Sequence, residues 1–166
     1  MIGVGVQLEG AERELKRFLE AWRVPFIATY KAKGVVPEDH ALCVGATGLS
    51  PVVDKIHMAH VREADLVLTI GFDPVELRAD WMAPWDEKKP VVNIDLVPNT
   101  HHVYRSTYEY AGSIAGCLNT LTQASPKRTP SRWLDADLDR YRRTITSAIE
   151  DRKSTRLNFS HVSESR

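Results

Sequence analysis

The sequence is poor in cysteine, has no long apolar run, and carries no excess charge of either sign. Cys43 and Cys117 are the only two cysteines, far apart and with no second Cys or His at metal-ligand spacing. That excludes a disulfide framework and a zinc site, and it points to a reducing compartment, the cytoplasm. No stretch approaches the roughly 20 apolar residues of a membrane helix, and Met1–Val6 leads into a charged helix rather than a signal peptide. The chain is therefore expected neither to span a membrane nor to be exported. Lys plus Arg number 22 and Asp plus Glu 22, so no basic balance draws nucleic acid or an anionic lipid surface. Also missing are a Gly-x-Ser-x-Gly elbow, a Walker loop and a nucleophile paired with a base. The sequence offers no catalytic residue. What remains is 166 residues, 43% hydrophobic and 8% aromatic, an ordinary globular composition that excludes collagen-like, coiled-coil and fully disordered chains.

The neutral total divides unevenly. Residues 1–125 hold 12 basic and 16 acidic side chains, and 126–166 hold 10 and 6. The division falls at the turn-rich Ser125-Pro126-Lys127-Arg128-Thr129-Pro130. This predicts a domain over 1–125, a linker over 126–132 and an amphipathic helix within 133–152, where Trp133, Leu138, Tyr141, Ile145 and Ile149 recur at helical spacing. Residues 153–166 have little apolar content and no period, so they read as a disordered, artefactual tail.

Within 1–125, apolar runs alternate with helical patterns. Ile2–Val6, Val24–Thr29, Leu42–Val44, Leu66–Ile70, Val91–Asp95 and Tyr108–Ala111 read as strands, and Ala11–Trp22, Pro51–Arg62 and Ser113–Gln123 as helices. Continuous rather than alternating strands, separated by helices, predict an α/β fold with a parallel sheet of about six strands covered by helices on both faces. In such sheets ligands sit at the carboxyl ends of the strands, which singles out Gly3, Gly5, Thr29, Lys31, Gly71–Asp73, Asp95 and Gly112-Ser113. Gly3-Val4-Gly5 before a helix lets a backbone approach a pyrophosphate, but Gly10 breaks the G-x-G-x-x-G spacing, and a plain tight turn is an equal reading. Asp95 is placed to accept from a ribose hydroxyl or an adenine amine, or to cap a loop. His57 and His60 have i, i+3 metal-ligand spacing without a third ligand, and read better as a surface and a core-edge histidine. His101-His102 reads as solvated loop, and Trp81 and Trp85 as an apolar plug over the sheet edge.

Pro25-Phe26-Ile27-Ala28-Thr29, Lys33-Gly34-Val35-Val36-Pro37-Glu38-Asp39-His40, Gly45-Ala46-Thr47-Gly48, Glu63-Ala64-Asp65-Leu66-Val67-Leu68-Thr69-Ile70-Gly71-Phe72-Asp73 and Val92-Asn93-Ile94-Asp95 follow one another in a familiar order. Over nearly all of 1–125 the chain resembles the central domain of thiamine-diphosphate-dependent enzymes of the acetolactate synthase and decarboxylase group. The resemblance implies a six-stranded Rossmann-like sheet that binds FAD or ADP in some members and nothing in others. It places Gly3, Gly5, Thr29, Gly71 and Asp95 where flavin-binding members contact the dinucleotide. Asp73 stands where those members carry an arginine, and a carboxylate there repels a pyrophosphate. Ser113 stands where an aspartate holds the adenosine end. The resemblance further implies that thiamine diphosphate and magnesium belong to missing N- and C-terminal domains of a parent acting on 2-oxo acids, a homo-oligomer. This chain then reads as a non-catalytic fragment, with the first strand cut short. A free-standing nucleotide-binding module, for FAD, ADP or NAD, is the first alternative. A sirtuin-like NAD-dependent deacylase is the second, though the Gly-Ala-Gly-Ile-Ser loop and four-cysteine zinc site it needs are missing. As a fragment the chain is expected to expose interdomain surface at Trp81, Trp85 and Trp133.

Overall fold

The computed structural model describes residues 1–74, 84–101, 103–124 and 133–163, with side chains as far as 151. Trp81, His102 and the linker 126–132 lie outside the described residues. The elements in chain order are α1 (Gly5–Glu9), α2 (Glu12–Trp22), β1 (Phe26–Thr29), a 3-10 turn at Tyr30–Ala32, β2 (Cys43–Thr47), α3 (Pro51–Glu63), β3 (Val67–Ile70), β4 (Val91–Asp95), β5 (Tyr108–Ala111), α4 (Ile114–Gln123) and α5 (Asp135–Ser163).

Burial makes strands of the central runs: all four residues of β1 are buried, as are three of the four in β3, whereas all four of β5 are exposed and it is held by its pairing with β4. All described pairings are parallel, as the continuous apolar runs predict. The expected count of about six strands is corrected: among the described residues β1 pairs with β2, and β3, β4 and β5 form a row of three. Ile2 alone stands where a strand joining the two groups was expected. Its N–H donates to the Ile27 carbonyl at 2.9 Å and its carbonyl accepts from Thr29 N–H at 2.8 Å. On the other side Gly3 N–H donates to the Ile70 carbonyl at 2.9 Å. Ile2 thus bridges both Ala28 and Ile70. The run Ile2–Val6 does not continue as a strand because the chain turns up at Val4 and Gly5–Glu9 closes a short helix, stopped by Gly10 in the left-handed region at φ 75°.

The helices follow their capping chemistry. Glu12 and Glu14 occupy the first turn of α2, where carboxylates favour the positive end of the helix dipole, and Leu15, Phe18 and Leu19 bury one face. Pro51 opens α3, a position that needs no N–H. Ser113 caps α4 by accepting from Gly116 N–H at 3.0 Å. Helix α4 packs on α2 and β4, whereas α5 packs on α3 and β2.

Helix α5 runs to Ser163, past the disordered tail expected from 153 onward, because no Pro or Gly stands between Asp135 and Ser163 to stop it. Its docking onto α3 corrects the reading of the histidines as well. His57 is fully buried and His60 nearly so. The His60 ring sits 3.7 Å from the Tyr141 ring and 4.3 Å from that of Trp133, while the Tyr141 hydroxyl donates to Glu63 at 2.6 Å. Trp133 is thus engaged within the chain, and Trp85 is buried against Tyr104 at 5.1 Å rather than exposed.

Burial pushes the pKa of both histidines down to about 4. An imidazole depressed in the folded state and ordinary in the unfolded one leaves stability intact above pH 6.5 and erodes it as pH falls toward 4. Equilibrium unfolding should therefore lose about 2 kcal/mol or more between pH 6.5 and 4, and His57→Leu should flatten that slope. An unchanged slope in the variant would place the acid sensitivity elsewhere.

Candidate functional site

The carboxyl ends of the strands bring four of the expected site residues together. Gly5 N–H donates to the Gly71 carbonyl at 2.9 Å, Gly71 N–H donates to the Ile94 carbonyl at 2.8 Å, and Gly112 N–H donates to the Asp95 carbonyl at 2.8 Å. The glycines are explained by one another. A Cβ on Gly3 would stand 2.2 Å from the Gly71 carbonyl oxygen, one on Gly5 2.7 Å from Gly71 Cα, and one on Gly71 2.5 Å from Val6 N. Gly71 also holds φ at 56°. Main chain packs against main chain at this corner, leaving side chains no room.

Asp95 closes the same corner. Its Oδ1 accepts from Leu96 N–H at 2.7 Å and lies 3.2 Å from where a Gly5 Cβ would stand. Burial raises its pKa, and the Asp73 carboxylate adds to that rise. Asp73 in turn lies 3.7 Å from His101 Nε2, and both side chains are exposed, so His101 lies in a solvated loop, as expected, with Asp73 as its neighbour. Thr29 is buried beside the Ile2–Gly3 peptide, donating its N–H to the Ile2 carbonyl at 2.8 Å, and its hydroxyl accepts from Ala32 N–H at 3.3 Å at the end of β1. Lys33 pairs with Glu38 at 3.2 Å.

Ser113 reveals a residue that sequence reasoning missed. Its hydroxyl donates to Glu9 Oε1 at 2.6 Å, and Glu9 Oε2 accepts from Ile114 N–H at 2.7 Å and Ala115 N–H at 3.3 Å. The N-terminal amides of α4, which in α/β sheets suit a phosphate, are held by the protein's own carboxylate. No local signal marks Glu9, because its partners lie more than a hundred residues away. Replacing Glu9 by Gln should cost about 1–2 kcal/mol by removing charge-assisted bonds to a helix terminus, read as a lowered unfolding midpoint. A neutral result would mean that water serves these amides equally well.

The residues present do not fit a pyrophosphate at this corner: the glycine backbones are in mutual contact, the α4 amides are taken, and Asp73 and Asp95 add negative charge. Nor do they fit a divalent cation, since among the described residues no group of three or more His, Cys, Asp or Glu could hold a metal. Both cysteines are free thiols whose pKa burial pushes up. No helix is long and apolar enough to cross a membrane among the described residues.

Parallel strands, helices packed against them and a glycine-closed turn at the strands' carboxyl ends define an α/β domain. Residues 1–122 match the family model of the thiamine pyrophosphate enzyme central domain, and the chain belongs to that family. It is similar to a probable acetolactate synthase large subunit of Methanocaldococcus jannaschii, 33% identical over 101 residues that make up 59% of this chain and 16% of the relative. It is similar to the acetolactate synthase of Bacillus subtilis, 27% identical over 122 residues, 70% of this chain and 20% of the relative. Human 2-hydroxyacyl-CoA lyase 1 is 44% identical over 46 residues, 28% of this chain and 8% of that protein. The chain thus spans about a fifth or less of the length of these relatives. Membership of this family sets the sirtuin-like reading aside.

Proposed function

We propose that the chain serves as the non-catalytic central module of an acetolactate synthase-like enzyme acting on 2-oxo acids. The observation that carries this reading is Glu9 seated on the N-terminal amides of α4, beside glycines that touch one another, at the corner where a dinucleotide would lie. The chain's own residues do there what a ligand does elsewhere: they satisfy the helix amides and fill the turn. Thiamine diphosphate supplies the electron sink for cleavage or ligation next to a 2-oxo acid carbonyl. In this reading it is held, with magnesium, by the domains that flank this one in the whole cytoplasmic enzyme, a homo-oligomer. The role of 1–122 is to set the spacing and orientation of those domains, and Gly3, Gly5, Thr29, Gly71, Asp95 and Ser113 are a nucleotide corner closed from within. FAD and ADP are not held.

A chimera tests this. Residues 1–122 replace the matching segment of the Bacillus subtilis acetolactate synthase, and acetolactate formation is measured with and without thiamine diphosphate. The expected result is thiamine-dependent activity in the chimera and none in the isolated chain. A folded, assembled chimera without activity, or turnover by the isolated chain, would overturn the reading.

A further inference from the structure

Helix α5 lies across the outer edge of β2. Phe26 N–H takes the Leu42 carbonyl on the β1 side, so the Ala41 and Cys43 carbonyls point outward, away from the sheet. Arg142 of α5 reaches both: its Nε donates to the Cys43 carbonyl at 2.9 Å, and its Nη2 to that of Ala41. Leu138, one turn earlier, is buried in the core. Asp135 meets Arg23 at 2.8 Å at the start of the helix, an exposed pair that contributes little. The helix thus closes a sheet edge that would otherwise be open to pairing with another chain.

Beneath α5 lie two imidazoles. Asp54, His57, His60 and Glu63 recur every third residue along α3. A Cβ on Gly45 would stand 3.2 Å from His57 Cε1, 3.3 Å from His57 Nε2 and 3.7 Å from Ile145 Cδ1, so the ring, the β2 main chain and α5 meet at one point. His60 is held by the rings of Trp133 and Tyr141. Both histidines are buried, and among the described residues neither ring nitrogen of His57 nor Nδ1 of His60 has a hydrogen-bond partner. The charged groups around them are engaged with others. On α3, Asp54 Oδ1 accepts from the Thr47 hydroxyl at 2.7 Å and Gly48 N–H at 2.8 Å, with Oδ2 buried and unpartnered, and Glu63 accepts from the Tyr141 hydroxyl at 2.6 Å. On α5, Arg140 pairs with Asp137 at 3.2 Å and Arg142 with Asp139 at 2.7 Å. On β2, burial pushes the Cys43 thiol up, which keeps it neutral. Asp54 and the Ala46 carbonyl favour a proton on His57, as Glu63 does on His60, but burial outweighs them.

We propose that α5 is an acid-released clasp: protonation of His57 and His60 lifts it from α3 and the β2 edge while the sheet stays folded, baring the Ala41 and Cys43 carbonyls and the apolar side chains of Leu138 and Ile145. Lifting α5 is the smallest movement that brings water to both rings, because their other walls are α3 itself and the sheet. With imidazoles at about 4 in the closed state and 6.5 when released, the opening constant rises about twentyfold per histidine between pH 7 and pH 5.

Native-state hydrogen exchange on the whole chain, corrected for the intrinsic effect of pH, tests this at pH 7 and pH 5 with and without urea below the unfolding transition. Protection of the Leu138–Ile145 amides should fall by about twentyfold or more at pH 5, with almost no urea dependence, because a released helix exposes little surface and frays in water. Ile70 and Ile94 should stay better protected and show the steep urea dependence of global unfolding. In the double variant His57→Leu, His60→Phe the pH response of the α5 amides should shrink below about threefold. Two results on the unaltered chain overturn the proposal whether or not the variant folds. One is α5 amides that share the protection and urea slope of Ile94 at both pH values, so that the helix opens only with the domain. The other is α5 protection that does not change with pH. A folded double variant that keeps the full response overturns it as well.

Discussion

Gly3→Ala should destabilise the domain by about 3 kcal/mol or more, at or beyond the upper end for an overpacked core site. The added methyl would stand 2.2 Å from the Gly71 carbonyl oxygen and 2.4 Å from Phe72 Cα, and both obstacles are main chain, which has no rotamer to swing away. Relief requires the Ile2–Gly5 segment to lift off β3, breaking the bond from Gly3 N–H to the Ile70 carbonyl and the one from Gly5 N–H to the Gly71 carbonyl. Gly10→Ala is the matched control, because a Cβ there meets nothing within 4 Å and only the left-handed φ of 75° opposes it. Its cost should stay near 1 kcal/mol. Chemical denaturation of both variants checks the pair, and equal losses would mean that backbone conformation, not close approach, demands glycine at position 3.

The second large effect belongs to Ile2. Its side chain is 2% exposed, and its backbone is the described link between the β1–β2 pair and the β3–β4–β5 row. Ile2→Ala keeps the backbone bonds and removes the buried methyl groups, so it should cost about 2–5 kcal/mol, as large-to-small core substitutions do. Its particular signature is where the loss appears. Hydrogen exchange should quicken first at Thr29 and Ile70, whose amides bond to Ile2 and Met1, before Ile94 and the β4 ladder. Uniform acceleration through all five strands would contradict a single-residue bridge.

Much of the fold was legible in the sequence because burial on both faces imposes continuous apolar strands. Val91–Asp95 falls where its run puts it, Tyr108–Ala111 falls in place although all four of its residues are exposed, and the helices at Glu12, Pro51 and Ile114 begin at or within a residue of their expected starts. The first strand misled because Ile2–Val6 carries the apolar composition of a strand, while the turn at Val4 depends on close approach to Gly71, nearly seventy residues away. The buried state of His57 and His60 was hidden for a similar reason. Their i, i+3 spacing says which face they share, but the helix that covers that face comes from Trp133 and Tyr141, beyond the charge-rich linker.

The candidate corner was half legible. Glycines and a carboxylate at strand ends mark the carboxyl edge of a parallel sheet, and Gly3, Gly5, Gly71 and Asp95 do meet there. The motif cannot say whether such glycines make room for a ligand or for one another. That depends on interatomic distance, and on Glu9 reaching the amides of α4 from across the sequence.

The central claim, a nucleotide corner closed by the chain's own residues, is tested most directly by following the thermal unfolding midpoint of the folded chain with FAD, ADP and NAD added in turn at millimolar concentration. A ligand that favours the folded state raises the midpoint by mass action. The account predicts no shift with any of the three. A saturable rise with FAD or ADP, abolished by Gly5→Val, would contradict it and make this chain a working nucleotide-binding domain.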